Sequence, residues 1–227
     1  MDLKTNDVAD LLNVSSNVIE TWVLEGKIPC YRFQGEYRYS RIEIEDWFLK
    51  RNNSSNQIRE EALKQGKGSR QFSLYRAIHK GGVLHAIEGK NKEEILRFAM
   101  NIIAKDLKLD TDVLTEMILD REKLQPTAVG YGIGIPHTRE SFTKVLQDSI
   151  FVVYPEKPIE DYGALDGTPV DTLIFIFAHD DKSHLQLLAK VAHFASQETC
   201  RQILQRRAHK MNLLDEIKTW EAKLASH

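Results

Sequence analysis

The chain has 227 residues, of which 42% are hydrophobic and 28% are charged, and its formal net charge is −2. This composition is typical of a soluble globular protein of one or two domains and gives no global signal for polyanion binding. Cys30 and Cys200 are too few for a disulfide framework, so we expect a reducing, cytoplasmic location. No apolar run reaches the roughly 18 residues of a membrane span, and the first residues do not resemble a signal peptide.

The first 51 residues predict a small unit of three helices and a β-hairpin. Thr5 or Asn6 can cap a first helix, and Ser15 or Ser16 can cap a second helix that Gly26 ends. Two short helices around a tight turn are a helix-turn-helix candidate. Two strands of a wing are expected at 28–33 and 37–40, and a third helix is expected from Arg41.

This order of elements resembles the winged helix-turn-helix of the excisionase and MerR-like DNA-binding family. The matching segments are 8–14, the helix exit at 26–29, the aromatic and arginine-containing wing, and the closing segment 44–47. The resemblance implies that the second helix enters the major groove and that the wing touches the DNA backbone. It assigns base-facing positions to Ser15, Ser16, Asn17 and Thr21, and phosphate contacts to Lys27, Arg32 and Arg38.

The charge of this unit opposes DNA binding. Residues 1–51 contain seven Lys and Arg against nine Asp and Glu, a net charge of −2. Affinity for DNA depends largely on phosphate neutralisation by basic side chains. Two interpretations therefore stay open: a DNA-binding module whose basic residues cluster near the wing, and a module that serves protein docking or dimerisation.

A polar, basic linker is predicted at 52–71. Its first six residues are Asn, Ser and Gln without apolar periodicity. Between 51 and 80, seven basic residues face two acidic ones, a net charge of +5. These charges could supply phosphate contacts for the adjoining module, or they could simply keep the linker solvated.

The segment 72–227 predicts a layered α/β domain, with a mixed sheet flanked by helices. Strands are expected at 72–78, 83–87, 149–154 and 170–177, the last two rich in β-branched and aromatic residues. Asn91, with Glu94 as its capping-box partner, and Asp110 are expected to cap two helices. Three further helices are expected from Asp181 or Ser183, around 203–204, and over 213–224.

A glycine-rich segment at 130–137 ends on a proline and His137. Glycine permits close backbone approaches and proline fixes φ, so the chain is held stiffly where the imidazole begins. Exposed backbone N–H groups of such a turn can bind an anion. The segment therefore predicts a positioned histidine beside an anion site, while the alternative is a turn with a chance histidine.

Three ordered blocks give this segment a context. The run 119–137 places Arg121 sixteen positions before His137, the segment 165–171 follows, and a His-Leu-x-x-Leu sequence begins at His184. Together they resemble the enzyme IIA domains of the phosphotransferase system of the fructose, mannitol and nitrogen-regulatory type. The resemblance extends roughly from Phe72 to the C-terminus.

The resemblance implies phosphoryl transfer. His137 would accept a phosphoryl group from a histidine phosphocarrier protein, Arg121 would bind the phosphoryl oxygens, and His184 would orient the site. A neutral imidazole is a good nucleophile, and a guanidinium offers paired donors to phosphate oxygens. Further candidate phosphate contacts are Thr127, Gly134 and Thr138.

No metal or diffusible cofactor is implied. His179 and His184 flank Asp180 and Asp181, but neither a cysteine nor a regular ligand spacing supports a zinc site there.

Three functions stay open: a nitrogen-regulatory phosphocarrier whose phosphorylation is coupled to DNA binding, a sugar-specific enzyme IIA that passes phosphate to a IIB partner, and a binding regulator without phosphoryl transfer. Because helix-turn-helix proteins commonly bind DNA as dimers, a homodimer is expected.

Overall fold

The structure is a computed structural model that describes residues 2–12, 14–50, 73–138 and 147–224. The linker predicted at 52–71 lies outside these ranges.

The N-terminal module combines three helices with a small antiparallel sheet. Its elements are β1 (Asp2–Leu3), α1 (Thr5–Leu12), α2 (Ser16–Leu24), β2 (Tyr31–Phe33), β3 (Glu36–Ser40) and α3 (Arg41–Lys50). The middle strand of the sheet is β3, which pairs with β1 on one side and β2 on the other. The predicted helix-turn-helix and wing are therefore confirmed, and Ile19, Tyr39 and Ile44 form a fully buried centre.

The second domain is built on a five-stranded mixed sheet. Its elements are α4 (Ser73–Lys80), β4 (Gly82–Ile87), α5 (Lys92–Leu107), α6 (Thr111–Leu124), β5 (Ala128–Gly130), β6 (Ile133–Gly134), β7 (Ser149–Pro155), β8 (Thr172–Phe177), α7 (Asp181–Ser196), α8 (Glu198–Gln205) and α9 (Lys210–Leu224). The strand order is β4-β7-β8-β6-β5. The pairs β4–β7 and β6–β8 are parallel, and β7–β8 and β5–β6 are antiparallel.

Helices cover both faces of this sheet, as the sequence predicted. Every residue of β7 and β8 is buried, and alternate side chains enter two separate cores. Val152 and Ile174 pack with α4, α7, α8 and α9, whereas Val153 and Phe175 pack with α5 and α6. The near-continuous apolar sequence of these strands follows from burial on both faces.

The caps predicted at Asn91 and Asp110 are present. The side chain of Asn91 accepts a hydrogen bond from the Glu94 N–H at 2.9 Å, and Asp110 accepts one from Val113 at the same distance. The cap at Asp110 begins α6, the helix that carries Arg121 in its last turn.

The cap predicted at Thr5 or Asn6 is wrong, because both residues lie within α1. Ser15 stands at the N-cap of α2 without a side-chain cap hydrogen bond.

The strand predicted at 72–78 is wrong, because this segment forms helix α4. Leu74, Ala77 and Ile78 are buried at helical spacing on one face. The carboxylate of Glu221 in α9 accepts the N–H groups of Leu74 and Tyr75 at 3.1 and 3.0 Å. A residue distant in sequence thus satisfies the free donors at the start of the helix.

The N-terminal module packs on the second domain through α1 and α3, which both contact α7. Ala189 of α7 belongs to the core of the N-terminal module, and Leu49 of α3 belongs to a core of the second domain. The two hydrophobic cores are therefore joined across the contact.

Within the described ranges, none of the helices combines the length and the hydropathy that a membrane span requires.

Two adjacent glycines, Gly81 after α4 and Gly82 at the start of β4, differ in what surrounds them. A Cβ on Gly81 would lie 2.1 Å from the backbone oxygen of Ile150, whereas one on Gly82 would lie 3.7 Å from the Phe151 ring. We expect Gly81→Ala to lower the free energy of unfolding by about 3 kcal/mol, because backbone atoms must move. Gly82→Ala, the matched control, should change it by less than about 1 kcal/mol. Urea unfolding of both variants measures the difference, and equal losses would contradict the packing at Gly81.

Candidate functional site

His137 is fully buried just after β6, where it forms a parallel bridge with Ile176 near the C-terminal end of β8. Its Nδ1 lies 2.7 Å from the carbonyl oxygen of Ile135. Because a carbonyl oxygen only accepts, Nδ1 carries the proton and donates. The other ring nitrogen, Nε2, therefore holds the lone pair.

The glycine turn fixes the position of this histidine. Gly130, Tyr131 and Gly132 have φ values of 88°, 57° and 77°, in the left-handed region that favours glycine. The N–H of Tyr131 donates to a carboxylate oxygen of Asp166 at 2.8 Å, so this donor of the predicted anion site is already bound. The carbonyl of Gly132 accepts the N–H of Asp171 at 2.9 Å, which ties the turn to the start of β8.

Gly134 has a packing role in this turn. A Cβ there would lie 2.9 Å from the ring of Tyr162, so only glycine admits that ring. The predicted contact of Gly134 with phosphate stays a prediction.

The structure brings the other two predicted catalytic residues to His137. His184 lies in the first turn of α7, with its ring centroid 5.3 Å from that of His137. Arg121, at the end of α6, is 3% exposed, and its Nη1 donates to the carbonyl of Gln125 at 2.9 Å. Residues 121, 137 and 184 thus form one buried cluster.

Helix α3 of the N-terminal module closes this cluster with two acidic residues that sequence reasoning missed. Asp46 accepts a hydrogen bond from Nη2 of Arg121 at 2.7 Å. An oxygen of Glu45 lies 3.8 Å from Nε2 of His184. The only signal for them in the sequence is the adjacent acidic pair in segment 44–47, which belongs to the match with the winged helix-turn-helix.

Arg41 of α3 completes the contact. Its Nε donates to Glu45 at 2.9 Å, and its Nη1 lies 2.5 Å from a carboxylate oxygen of Asp181 in α7. The interface therefore contains cations and anions from both domains.

Burial sets the protonation of the site. Desolvation lowers the pKa of His137 well below its usual value, and the neighbouring His184 and Arg121 lower it further. Desolvation, with Arg41 and Arg121, lowers the pKa of His184 to about 3. Burial raises the pKa of Glu45, and the Arg41 guanidinium opposes that rise. Both imidazoles are thus neutral near pH 7, which is the nucleophilic form.

Thr127 and Thr138 are both buried near the cluster. The hydroxyl of Thr127 hydrogen-bonds to Glu122 and lies 3.2 Å from the Tyr162 hydroxyl. Glu122 is in turn paired with Lys92 at 2.7 Å. Thr127 is therefore held by an internal network, and its contact with phosphate, like that of Thr138, stays a prediction.

The predicted DNA-facing surface remains open while the module is docked. Ser15, Asn17 and Thr21 are exposed on one side of α2, and Ser16 donates to the side chain of Asn6 at 2.7 Å. The three predicted phosphate contacts have neighbours in their own module: Lys27 pairs with Glu25 at 2.5 Å, Arg38 pairs with Glu36 at 2.7 Å, and Arg32 lies 5.4 Å from the centre of the Tyr37 ring. Their contacts with DNA stay predictions.

Comparison with known proteins gives this site a family. Residues 77–220 match the profile of "Phosphoenolpyruvate-dependent sugar phosphotransferase system, EIIA 2", and residues 3–52 match a "Helix-turn-helix domain". The nitrogen regulatory protein of Pseudomonas aeruginosa is 33% identical over 122 residues, 52% of this chain and 77% of that protein. The nitrogen regulatory protein of Escherichia coli is 35% identical over 117 residues, 50% of this chain and 71% of that protein.

A solved structure shares the fold. The crystal structure of nitrogen regulatory protein IIA-Ntr from Neisseria meningitidis matches with a TM-score of 0.53 and 24% identity, covering 61% of this chain and 93% of that one. Since residues 77–220 are more than half of the 227, the chain belongs to the EIIA type-2 family of the phosphotransferase system and carries a helix-turn-helix domain at its N-terminus.

Proposed function

We propose that this protein is a regulatory phosphocarrier that accepts a phosphoryl group on Nε2 of His137 from a histidine phosphocarrier protein. The family carries phosphoryl groups on histidine, and the relatives with 33% and 35% identity are nitrogen regulatory proteins. The hydrogen bond from Nδ1 of His137 to Ile135 supports Nε2 as the acceptor, because it leaves the lone pair on that nitrogen.

The transfer needs few groups. The Nε2 lone pair attacks phosphorus, and the nitrogen–phosphorus bond of the donor breaks, with its electron pair returning to the donor imidazole. The proton stays on Nδ1, which continues to donate it to the Ile135 carbonyl, and this hydrogen bond stabilises the positive charge that develops on the ring. Arg121 would bind the phosphoryl oxygens, and His184 would donate to them.

The observation that carries the regulatory part is the position of Asp46. Its carboxylate is paired with the guanidinium of Arg121, the group expected to bind the phosphoryl oxygens. Glu45 lies beside His184. In this arrangement Nε2 of His137 is buried. A phosphoryl donor can therefore reach it only after α3 has moved away.

Docking of the module and phosphorylation of His137 then exclude one another. A phosphoryl group on His137 would place a charge of about −2 next to Glu45. It would also compete with Asp46 for Arg121. Coupling between sites is reciprocal at equilibrium. Docking therefore lowers the equilibrium constant for phosphorylation by the same factor by which phosphorylation lowers the equilibrium constant for docking.

Release of the module would in turn change DNA binding. The docked module uses Arg41 to bind Asp181 of the EIIA domain. Release frees this guanidinium, which lies at the end of the wing strand β3, for a DNA phosphate. If the protein only passed phosphate to a IIB partner, the docked module would have no function.

The first prediction concerns the phosphorylated residue. Full-length protein mixed with phosphoenolpyruvate, enzyme I and a histidine phosphocarrier should gain about 80 Da, in an acid-labile and alkali-stable form. The gain should vanish in His137→Ala and persist in His179→Gln, a control at an exposed histidine. Mass spectrometry of intact protein gives the result, and a label retained by His137→Ala would overturn the site assignment.

The second prediction concerns the docked module. Asp46→Ala leaves Arg121 unpaired in the docked state only, so the released state gains population. We expect phosphorylation to become about 10-fold faster, within the usual range of coupling between sites. Glu43→Gln, at an exposed position of the same helix, is the control and should phosphorylate at the wild-type rate. A rate in Asp46→Ala at or below that of wild type would contradict the closed resting state.

The third prediction couples the two domains. A DNA sequence selected from a random pool with the Asp46→Ala protein should bind phosphorylated wild type and unphosphorylated Asp46→Ala about 10-fold more tightly than unphosphorylated wild type. Asn17→Ala in the Asp46→Ala background should lose the preference for the selected sequence. Equal affinity of all forms, or equal affinity for random DNA, would favour a module for protein docking.

A further inference from the structure

We propose that Glu45, His137 and His184 form a binding site for Zn²⁺ or a similar divalent transition metal, which holds the helix-turn-helix module over the reactive histidine. Each of the three residues offers one ligand atom, and these atoms lie within 4.8 Å of one another. All three residues are at most 1% exposed. Two ligands come from the EIIA domain and one from the N-terminal module, so a bound ion would join them.

Two unused nitrogen atoms point to a ligand. Nε2 of His137 and Nε2 of His184 are both buried without a hydrogen-bond partner. Leaving a buried polar atom without a hydrogen-bond partner is destabilising. One metal ion would satisfy both nitrogens at once.

The hydrogen bond of the non-ligating nitrogen of His137, Nδ1, is the kind that metal-binding histidines make. This nitrogen donates to the carbonyl of Ile135, which fixes the ring and directs the Nε2 lone pair towards the cluster. Histidines that bind metals commonly donate their other N–H to a carbonyl or carboxylate in this way.

The distances allow coordination after small side-chain rotations. Ligand atoms about 2.0–2.1 Å from a tetrahedral zinc lie about 3.3 Å apart. Nε2 of His184 and the nearer oxygen of Glu45 are 3.8 Å apart. A carboxylate has two oxygens and about four acceptor positions, so Glu45 can bind a metal while it accepts the hydrogen bond from Arg41.

The ligand set selects the kind of metal. Two imidazoles and one carboxylate, with a fourth position left for water, are a set that zinc takes. Calcium and magnesium prefer oxygen ligands throughout. The charges permit a cation: Glu45, Asp46 and Asp181 oppose Arg41 and Arg121, a local net charge of −1 with neutral imidazoles.

This site was not expected from the sequence, where the only metal site considered, and not supported, was the segment from His179 to His184. In the structure both ring nitrogens of His179 are engaged, by Asp148 at 2.7 Å and Asp180 at 2.6 Å, and all three side chains are partly exposed. That cluster is the natural competitor for added metal and supplies the control variant.

The metal and the phosphoryl group would need the same atom, Nε2 of His137. A bound ion would therefore block phosphorylation and keep the module docked. This consequence rests on the proposed function, whereas the binding site itself rests only on the geometry of the three ligands.

The test uses full-length, tag-free protein, stripped with a chelator and titrated with Co²⁺ and then Zn²⁺. We expect about one Co²⁺ per chain, with the strong visible bands of a four-coordinate ion that Zn²⁺ abolishes. Glu45→Gln, which keeps the side-chain shape, and His137→Ala, on the other domain, should each weaken binding at least about 100-fold. His179→Gln should bind as wild type.

Two results would overturn the site. One is wild-type affinity in both Glu45→Gln and His137→Ala, and the other is loss of binding in His179→Gln alone. Thermal unfolding without metal verifies that each variant is folded. An increase of the unfolding temperature by Zn²⁺ in wild type, absent in Glu45→Gln, would locate the ion at the contact of the two domains.

Phosphorylation separates this inference from the proposed function. Zn²⁺ should protect wild type from the phosphoryl donor, whereas Glu45→Gln should be phosphorylated at the same rate with and without Zn²⁺. Metal binding without any phosphorylation would refute the proposed function and leave the site intact. Phosphorylation of wild type at equal rates with and without Zn²⁺ would refute the proposal that the ion holds the module over His137.

Discussion

The arrangement of the two domains depends on one cluster of charges around the buried Arg121 and Glu45, in which Arg121 pairs with Asp46, and Arg41 pairs with Glu45 and Asp181. Taking charged groups out of water is costly unless each finds a partner with good geometry. Two of the three pairs, Arg121–Asp46 and Arg41–Asp181, join the two domains, so these pairs form only while α3 is docked. The apolar contacts of Leu49 and Ala189 stabilise the contact between the domains, but apolar burial is non-directional and does not fix their relative orientation. The ion pairs therefore determine where α3 sits.

Such a contact can be reversed by chemistry at the same place. A buried ion pair gains little over its hydrated components, whereas removing or displacing one partner leaves the other unpaired at a cost of about 3–5 kcal/mol. A phosphoryl group on His137 would offer Arg121 another anion and repel the two carboxylates of α3. The same residues that close the site would thus respond to its modification. Under the proposed function, the phosphorylated histidine and the module that responds to it would share one interface.

Local sequence signals succeeded where the physical cause is local. Asn91 and Asp110 cap their helices through side-chain bonds to N–H groups three residues ahead, and the near-continuous apolar sequence of β7 and β8 reflects burial on both faces. The segment 72–78 failed because its helix is completed by Glu221 of α9, more than a hundred residues away. The sequence predicted the glycine turn. It did not predict that Asp166 accepts the N–H of Tyr131, because the two residues are far apart in the chain.

The sequence by itself determined both domains and the cluster of residues 121, 137 and 184. Spacing, caps and the three blocks around the glycine turn are properties of the chain, and the family resemblance depends on them. The tertiary structure alone decided that Glu45 and Asp46 close this cluster. The physical reason is that both carboxylates find their cationic and imidazole partners on elements far away in sequence, and only the packing of α3 against α7 brings those partners within reach.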